Sequence, residues 1–268
     1  MKILIIGGGN MGSTYARSFL KSLLCDHEHL MILEKSAPQR AGLQEHHKGR
    51  VYTDAAECVP QADLIILAVK PQDTEELFAS LGPIIQPSQV VLSIMDGIKI
   101  EFIQKSLGIT KVIRAMPNLP AQVGMGLTVF TSAADVTRIE LVTVQNLLNT
   151  TGKSIYVEQE SLLDASTAIS GSGPAYVFYF MQSMMDAAHQ MGFSAAEADL
   201  LVHQTFRGAI ELFVQNDLSC AEWIKRVASR GGTTEAALKQ FEEDELNDRI
   251  QKGAFAALRR AQELGAKK

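Results

Sequence analysis

A chain of 268 residues, 46% apolar and 21% charged, carries enough apolar surface to bury a full core and is expected to divide into two domains. Its net charge of −5 and pI near 5.7 exclude non-specific binding to nucleic acid or to an anionic membrane, which needs concentrated Lys and Arg. Three scattered cysteines, Cys25, Cys58 and Cys220, have no CxxC spacing; they exclude a disulfide framework and point to a reducing compartment, the cytoplasm by default.

The chain opens on Lys2-Ile3-Leu4-Ile5-Ile6, an apolar run too short to span a bilayer and lacking a secretory cleavage pattern. No window holds about 18 uninterrupted apolar residues, so no membrane span is expected. Up to residue 157, β-branched runs alternate with helical stretches, and strands are expected at 3–6, 30–33, 64–69, 90–94, 112–115, 127–130 and 154–157. Continuous apolar strands such as 64–69 read as buried on both faces, hence a parallel sheet flanked by helices. Residues 119–125 form a loop and not a crossover helix, which leaves the late strands open to antiparallel pairing.

Gly7-Gly8-Gly9-Asn10-Met11-Gly12 follows the first strand and opens a helix, so GxGxxG stands in the strand–turn–helix context that dinucleotide binding requires. Its glycines allow a tight turn and let a pyrophosphate approach main-chain N–H groups at a helix N-terminus. Glu34 follows at the end of the second strand, about 20 residues on, where an acid suits a ribose 2′-hydroxyl. Lys35, Ser36 and Arg40 suit a 2′-phosphate instead, so the choice between NADH and NADPH stays open. Ala68-Val69-Lys70-Pro71 ends another strand beside the topological switch point, although Lys70 reads equally well as a solvated loop lysine. Asn118, after a further strand, has the groups to hydrogen-bond a nicotinamide carboxamide or simply to shape its loop.

From residue 158 onward everything reads helical, which sets domains at 1–157 and 158–268. Ser194 with Glu197, and Ser219 with Glu222, form capping boxes, and 196–215 is an amphipathic helix. Residues 176–188 are apolar on nearly every side and need partners from beyond a small domain, which suggests a dimer. Before them, Ser170-Gly171-Ser172-Gly173-Pro174 breaks the helical pattern into a polar corner suited to a small ligand, with Pro174 in the first turn of the next helix. Gly231-Gly232-Thr233-Thr234 presents amides and hydroxyls at another helix start, a compact carboxylate site or an ordinary cap. His27 with His29, and His46 with His47, lack metal-ligand spacing, so no metal is expected; no GxSxG or reactive-cysteine setting supports a nucleophile.

Taken together, the Gly7-to-Gly12 loop, residues 68–72, Arg114-Ala115-Met116-Pro117-Asn118, residues 170–176 and Gly231-Gly232-Thr233-Thr234 resemble the pyrroline-5-carboxylate reductases of proline biosynthesis, over nearly the whole chain. The resemblance implies an α/β Rossmann-like, doubly wound, mostly parallel sheet followed by an all-α dimerisation domain. It also implies a homodimer, or a higher homo-oligomer built from dimers, and a small imine substrate reduced by NADPH or NADH. Asn10 and Met11 would join Gly7, Gly9 and Gly12 around the pyrophosphate. Gly232, Thr233 and Thr234 would hold the substrate carboxylate, with the Thr234 hydroxyl near the ring nitrogen as the catalytic group. Ser170, Ser172 and Gly173 would shape the opposing wall. Three positions depart from the family pattern: Asp96 in a nicotinamide loop that is usually small, Leu119 for a common threonine, and Arg230 for a common proline.

Two rivals are kept beside this reading. A hydroxyacid or 6-phosphogluconate type of dehydrogenase would need a catalytic lysine on the helical domain, for which Lys225 and Lys239 are the candidates. A non-catalytic, dimeric NAD(P)-binding regulator would keep the scaffold with a site altered at Asp96 and Arg230.

Overall fold

The computed structural model describes residues 1–45 and 49–266; His46 and His47 lie outside the described residues. Eight strands, β1 (Ile3–Ile6), β2 (Leu30–Leu33), β3 (Arg50–Tyr52), β4 (Leu64–Leu67), β5 (Val90–Ser93), β6 (Val112–Met116), β7 (Gly126–Ser132) and β8 (Gly152–Tyr156), form one sheet in the order β3-β2-β1-β4-β5-β6-β7-β8. Seven are expected from the sequence. The edge strand β3 is not, because three residues, only half-buried, give no periodicity to read. Every pairing is parallel except β6 with β7, where the 3-10 turn Leu119–Val123 returns the chain without a crossover helix.

Helices α1 (Asn10–Lys21), α2 (Ala37–Glu45), α3 (Ala55–Cys58), α4 (Thr74–Leu81), α5 (Ile100–Leu107) and α6 (Arg138–Leu148) link the strands. Alternation along the strands explains the double winding. Ile3, Ile5, Leu30, Ile32, Leu64 and Ile66 enter one apolar cluster with Tyr15 and Phe19 of α1. Leu4, Ile6, Met31, Leu33, Ile65 and Leu67 enter another with Phe78 of α4 and Ile103 of α5. Each fully buried side chain of this size contributes about 1.5–3 kcal/mol, so both faces must be covered for the central strands to exist.

Two compact units result, one comprising Met1–Ser172 with Ala257–Lys268, the other Gly173–Ala256. The boundary read at residue 157 marks where the strands stop, whereas the first unit continues through α7 (Ser161–Ser166) and one π-helical turn, Thr167–Gly171. The second unit holds α8 (Gly173–Gln190), α9 (Ala195–Val214), α10 (Cys220–Val227) and α11 (Thr233–Glu243), and α12 (Leu246–Gly265) begins in it. Both expected capping boxes are formed, with Ser194 and Ser219 accepting from the amides of Glu197 and Glu222. The buried apolar side chains of this unit are only Ala188, Ala198 and Val202. Phe178 is 60% and Tyr179 76% exposed, and Leu200, Ile210 and Phe213 are exposed as well. Among the described residues no helix is long and apolar enough to cross a membrane.

The turn after β1 packs its backbone closely against α1. A Cβ built on Gly12 would stand 1.9 Å from the Gly7 carbonyl oxygen. Gly12→Ala is therefore expected to destabilise the protein by about 1–3 kcal/mol, read as a lower urea midpoint with unchanged slope.

Candidate functional site

The carboxyl ends of β1 and β4 are neighbours in the sheet, and the chain leaves them in opposite directions, which opens a crevice at a topological switch point. Gly7, at φ +100°, turns the chain out of β1, and a Cβ there would lie 2.7 Å from the Ala68 carbonyl oxygen. Gly9 caps α1 without a side-chain hydrogen bond, no acid occupies the first turn, and a Cβ at Gly9 would meet nothing within 4 Å. The first-turn amides of Asn10, Met11 and Gly12 have no partner within the helix. Crowded on the sheet side, open on the other and positive by its dipole, this loop fits a dinucleotide pyrophosphate.

The remaining sequence-derived positions of the first unit distribute around those strand ends. Glu34, following β2, accepts from the Gly8 amide at 2.7 Å and from the Ser36 amide at 2.7 Å. Lys35 pairs with Glu76 at the surface, and Arg40 donates from Nη1 to the carbonyls of Glu34 and Lys35. Ala68 and Val69 are half-buried beyond β4; Lys70 is exposed and leads into the 3-10 turn Pro71–Asp73. Asn118 is fully engaged within the unit: Nδ2 donates to the Ser170 carbonyl at 3.2 Å and to Ser170 Oγ at 3.1 Å, and Oδ1 accepts from the Leu127 amide at 2.9 Å. These bonds shape the loop after β6 and bring Ser170 to the end of that strand.

The segment carrying Ser170 is not a simple break between two helices. The Ser172 amide donates to the Thr167 carbonyl at 2.8 Å, five residues back, so a π turn joins α7 to α8. Glycines at 171 and 173 tolerate that widened turn, a form often found at functional sites. The turn is half-buried.

A charged cluster behind it escaped the sequence reading. Arg114, 5% exposed on β6, binds Glu160 at 2.9 Å and Asp164 at 3.4 Å, and Glu160 also accepts from the Ile100 amide. One arginine inside the apolar string of β6 was the available signal, since a buried cation requires partners. Asp96, half-buried, faces the same guanidinium. Burial pushes its carboxyl above the ordinary value, Arg114 opposes that shift, and Asp164 adds to it.

In the second unit, Gly173 opens α8 and Gly232 caps α11, with Thr233 and Thr234 in its first turn. The Gly232 amide is taken by the Ser229 carbonyl and the Gly231 amide by Glu235, so the donors presented are the amides and hydroxyls of Thr233 and Thr234. Lys239, a candidate for the dehydrogenase reading, is exposed and paired with Glu243 at 3.8 Å. Burial raises the thiols of Cys25 and Cys58 to about 11, which leaves both inert at neutral pH.

Two family models match the chain: pyrroline-5-carboxylate reductase dimerisation over residues 160–264, and NADP oxidoreductase coenzyme F420-dependent over residues 2–97. A pyrroline-5-carboxylate reductase of Pseudomonas aeruginosa is 34% identical over 264 residues, covering 98% of this chain and 96% of its own. Among solved structures, a pyrroline-5-carboxylate reductase from Coxiella burnetii aligns with TM-score 0.88 and 31% identity over 98% of both chains. A Plasmodium falciparum pyrroline carboxylate reductase with NADP bound aligns with TM-score 0.88 and 26% identity, covering 99% of this chain and 98% of that one.

The Asp96 shift has a testable sign. A carboxyl whose folded value is raised holds its proton more tightly when folded, so it favours folding below the unfolded value of 3.8 and loses that contribution as pH rises through the folded one. Asp96→Asn should therefore raise the thermal midpoint at pH 7, with the gain fading as pH falls through the raised folded value and absent below 3.8 in a melting series.

Proposed function

The chain belongs to the pyrroline-5-carboxylate reductase family, and we propose on that premise how its residues divide the reduction of 1-pyrroline-5-carboxylate to L-proline. The observation that carries the assignment is the 34% identity sustained over 98% of the chain, with an open glycine loop where the nucleotide domain needs one. Gly7, Gly9, Asn10, Met11 and Gly12 would hold the pyrophosphate of NADPH or NADH. Ala68, Val69, Lys70 and Pro71, with Asp96, would line the path toward the nicotinamide. Once bound, the reduced cofactor supplies hydride to the imine carbon.

The chain's own residues act by positioning and electrostatics, because a protonated imine is already electrophilic. Thr233 and Thr234, at the positive end of α11, hold the substrate carboxylate through main-chain amides, and Gly232 caps that helix start where a Cβ would lie 2.5 Å from Ser229 Oγ. When the carbon accepts hydride, the π pair of the C=N bond moves to nitrogen. The Thr234 hydroxyl donates a hydrogen bond to that nitrogen as its charge falls. We assign Ser170, Ser172 and Gly173 to substrate contacts, and the Asn118 bond to Ser170 keeps the π turn in place.

The exposed apolar side chains of α8 and α9 support a homodimer formed through the helical unit. The partners we assign are a small-molecule substrate and a second copy of the chain, with no role for nucleic acid or membrane. Three free thiols suit a reducing compartment, and the cytoplasm is the location we assign.

Purified protein supplied with pyrroline-5-carboxylate should consume NADH or NADPH, followed by loss of reduced-cofactor absorbance; no turnover with either shifts the reading toward the non-catalytic regulator. Thr234→Ala should lower kcat about tenfold to a hundredfold while the cofactor dissociation constant stays unchanged. Equal activity in that variant removes Thr234 from the mechanism.

A further inference from the structure

An acid at the end of β2 ordinarily accepts a hydrogen bond from the adenosine ribose and disfavours a 2′-phosphate. Glu34 stands in that place, yet its carboxylate is occupied by the protein itself. The residue is 8% exposed. One oxygen accepts from the Gly8 amide and the other from the Ser36 amide, both at 2.7 Å. The surroundings are tight: a Cβ on Gly8 would lie 3.2 Å from that first oxygen and 2.5 Å from Leu43 Cδ1. Arg40 fixes the same stretch by donating to the Glu34 and Lys35 carbonyls.

We propose that Glu34 is a positioning residue for the glycine loop, acting on the cofactor's pyrophosphate through Gly8 and not on its ribose. The proposal rests on the reading of that loop as the pyrophosphate site. A carboxylate held between two amides ties the turn after β1 to the turn after β2. The loop then keeps its shape before any ligand arrives, and the cost of ordering it on binding falls. Two N–H groups directed at the carboxylate also temper the charge that a 2′-phosphate would meet. It follows that the acid at position 34 does not select NADH over NADPH.

Dissociation constants of Glu34→Ala and Glu34→Gln for NADH and for NADPH, titrated separately by nicotinamide fluorescence, test this without reference to turnover. Loss of the brace weakens both cofactors together, by about tenfold for Ala and less for Gln, and leaves the ratio between them within about twofold of wild type. The Gln variant keeps the side-chain shape and one acceptor, so it carries the same comparison if the Ala variant does not fold. A merely structural role would lower the melting temperature and leave both dissociation constants unchanged, which overturns the proposal. Weaker NADH binding with equal or tighter NADPH binding overturns it as well, because that is the signature of a ribose ligand. Wild-type protein that binds neither dinucleotide removes the nucleotide reading itself, and the proposal with it.

Discussion

Backbone crowding where β1 meets α1 is the constraint on which the rest of the first unit depends. The Gly7 carbonyl, the Ala68 carbonyl and the Cα of Gly12 approach so closely that no Cβ fits at positions 7 or 12. That closeness draws the N-terminus of α1 against the sheet and aims its free amides into the crevice between β1 and β4. A larger residue at either position would push the helix away, and the separation would cost both packing and the anion site. Stability and ligand binding therefore depend on the same few atoms.

The two units solve the burial problem differently. In the first, a sheet whose central strands are apolar on both faces is covered by its own helices, and the buried cation on β6, Arg114, is matched by Glu160 and Asp164. The second unit cannot do this alone. Long helices with Phe178, Tyr179, Leu200 and Phe213 exposed gain little from folding in isolation, and a second copy is the economical cover for them.

Much of this was legible in the sequence, for identifiable reasons. Strands buried on both faces announce themselves as unbroken apolar runs, and 64–69 was readable on that ground alone. Capping boxes fix helix starts because they satisfy orphan amides reciprocally, so Ser194 and Ser219 were reliable marks. Features that depend on partners distant in sequence were not legible. Nothing in the letters around Glu34 says that Gly8, 26 residues earlier, occupies its carboxylate, or that Asn118 is engaged by Ser170 at a separation of 52. The π turn reads as a break in the sequence, since composition reveals that a helix is weakened but not whether it stops or widens. The edge strand β3 was missed because it is short and half-exposed.

Although α12 begins in the helical unit, the residues from Ala257 onward belong to the nucleotide-binding one. Leu264 and Gly265 lie against Gly97, in the turn beyond β5. The nucleotide-binding unit thus draws on segments from both sides of the helical one. In order of synthesis, that unit is begun first and closed only after the whole helical unit between its two segments has been made. A break or an insertion next to Leu264 would therefore disturb the unit to which the earliest strands belong.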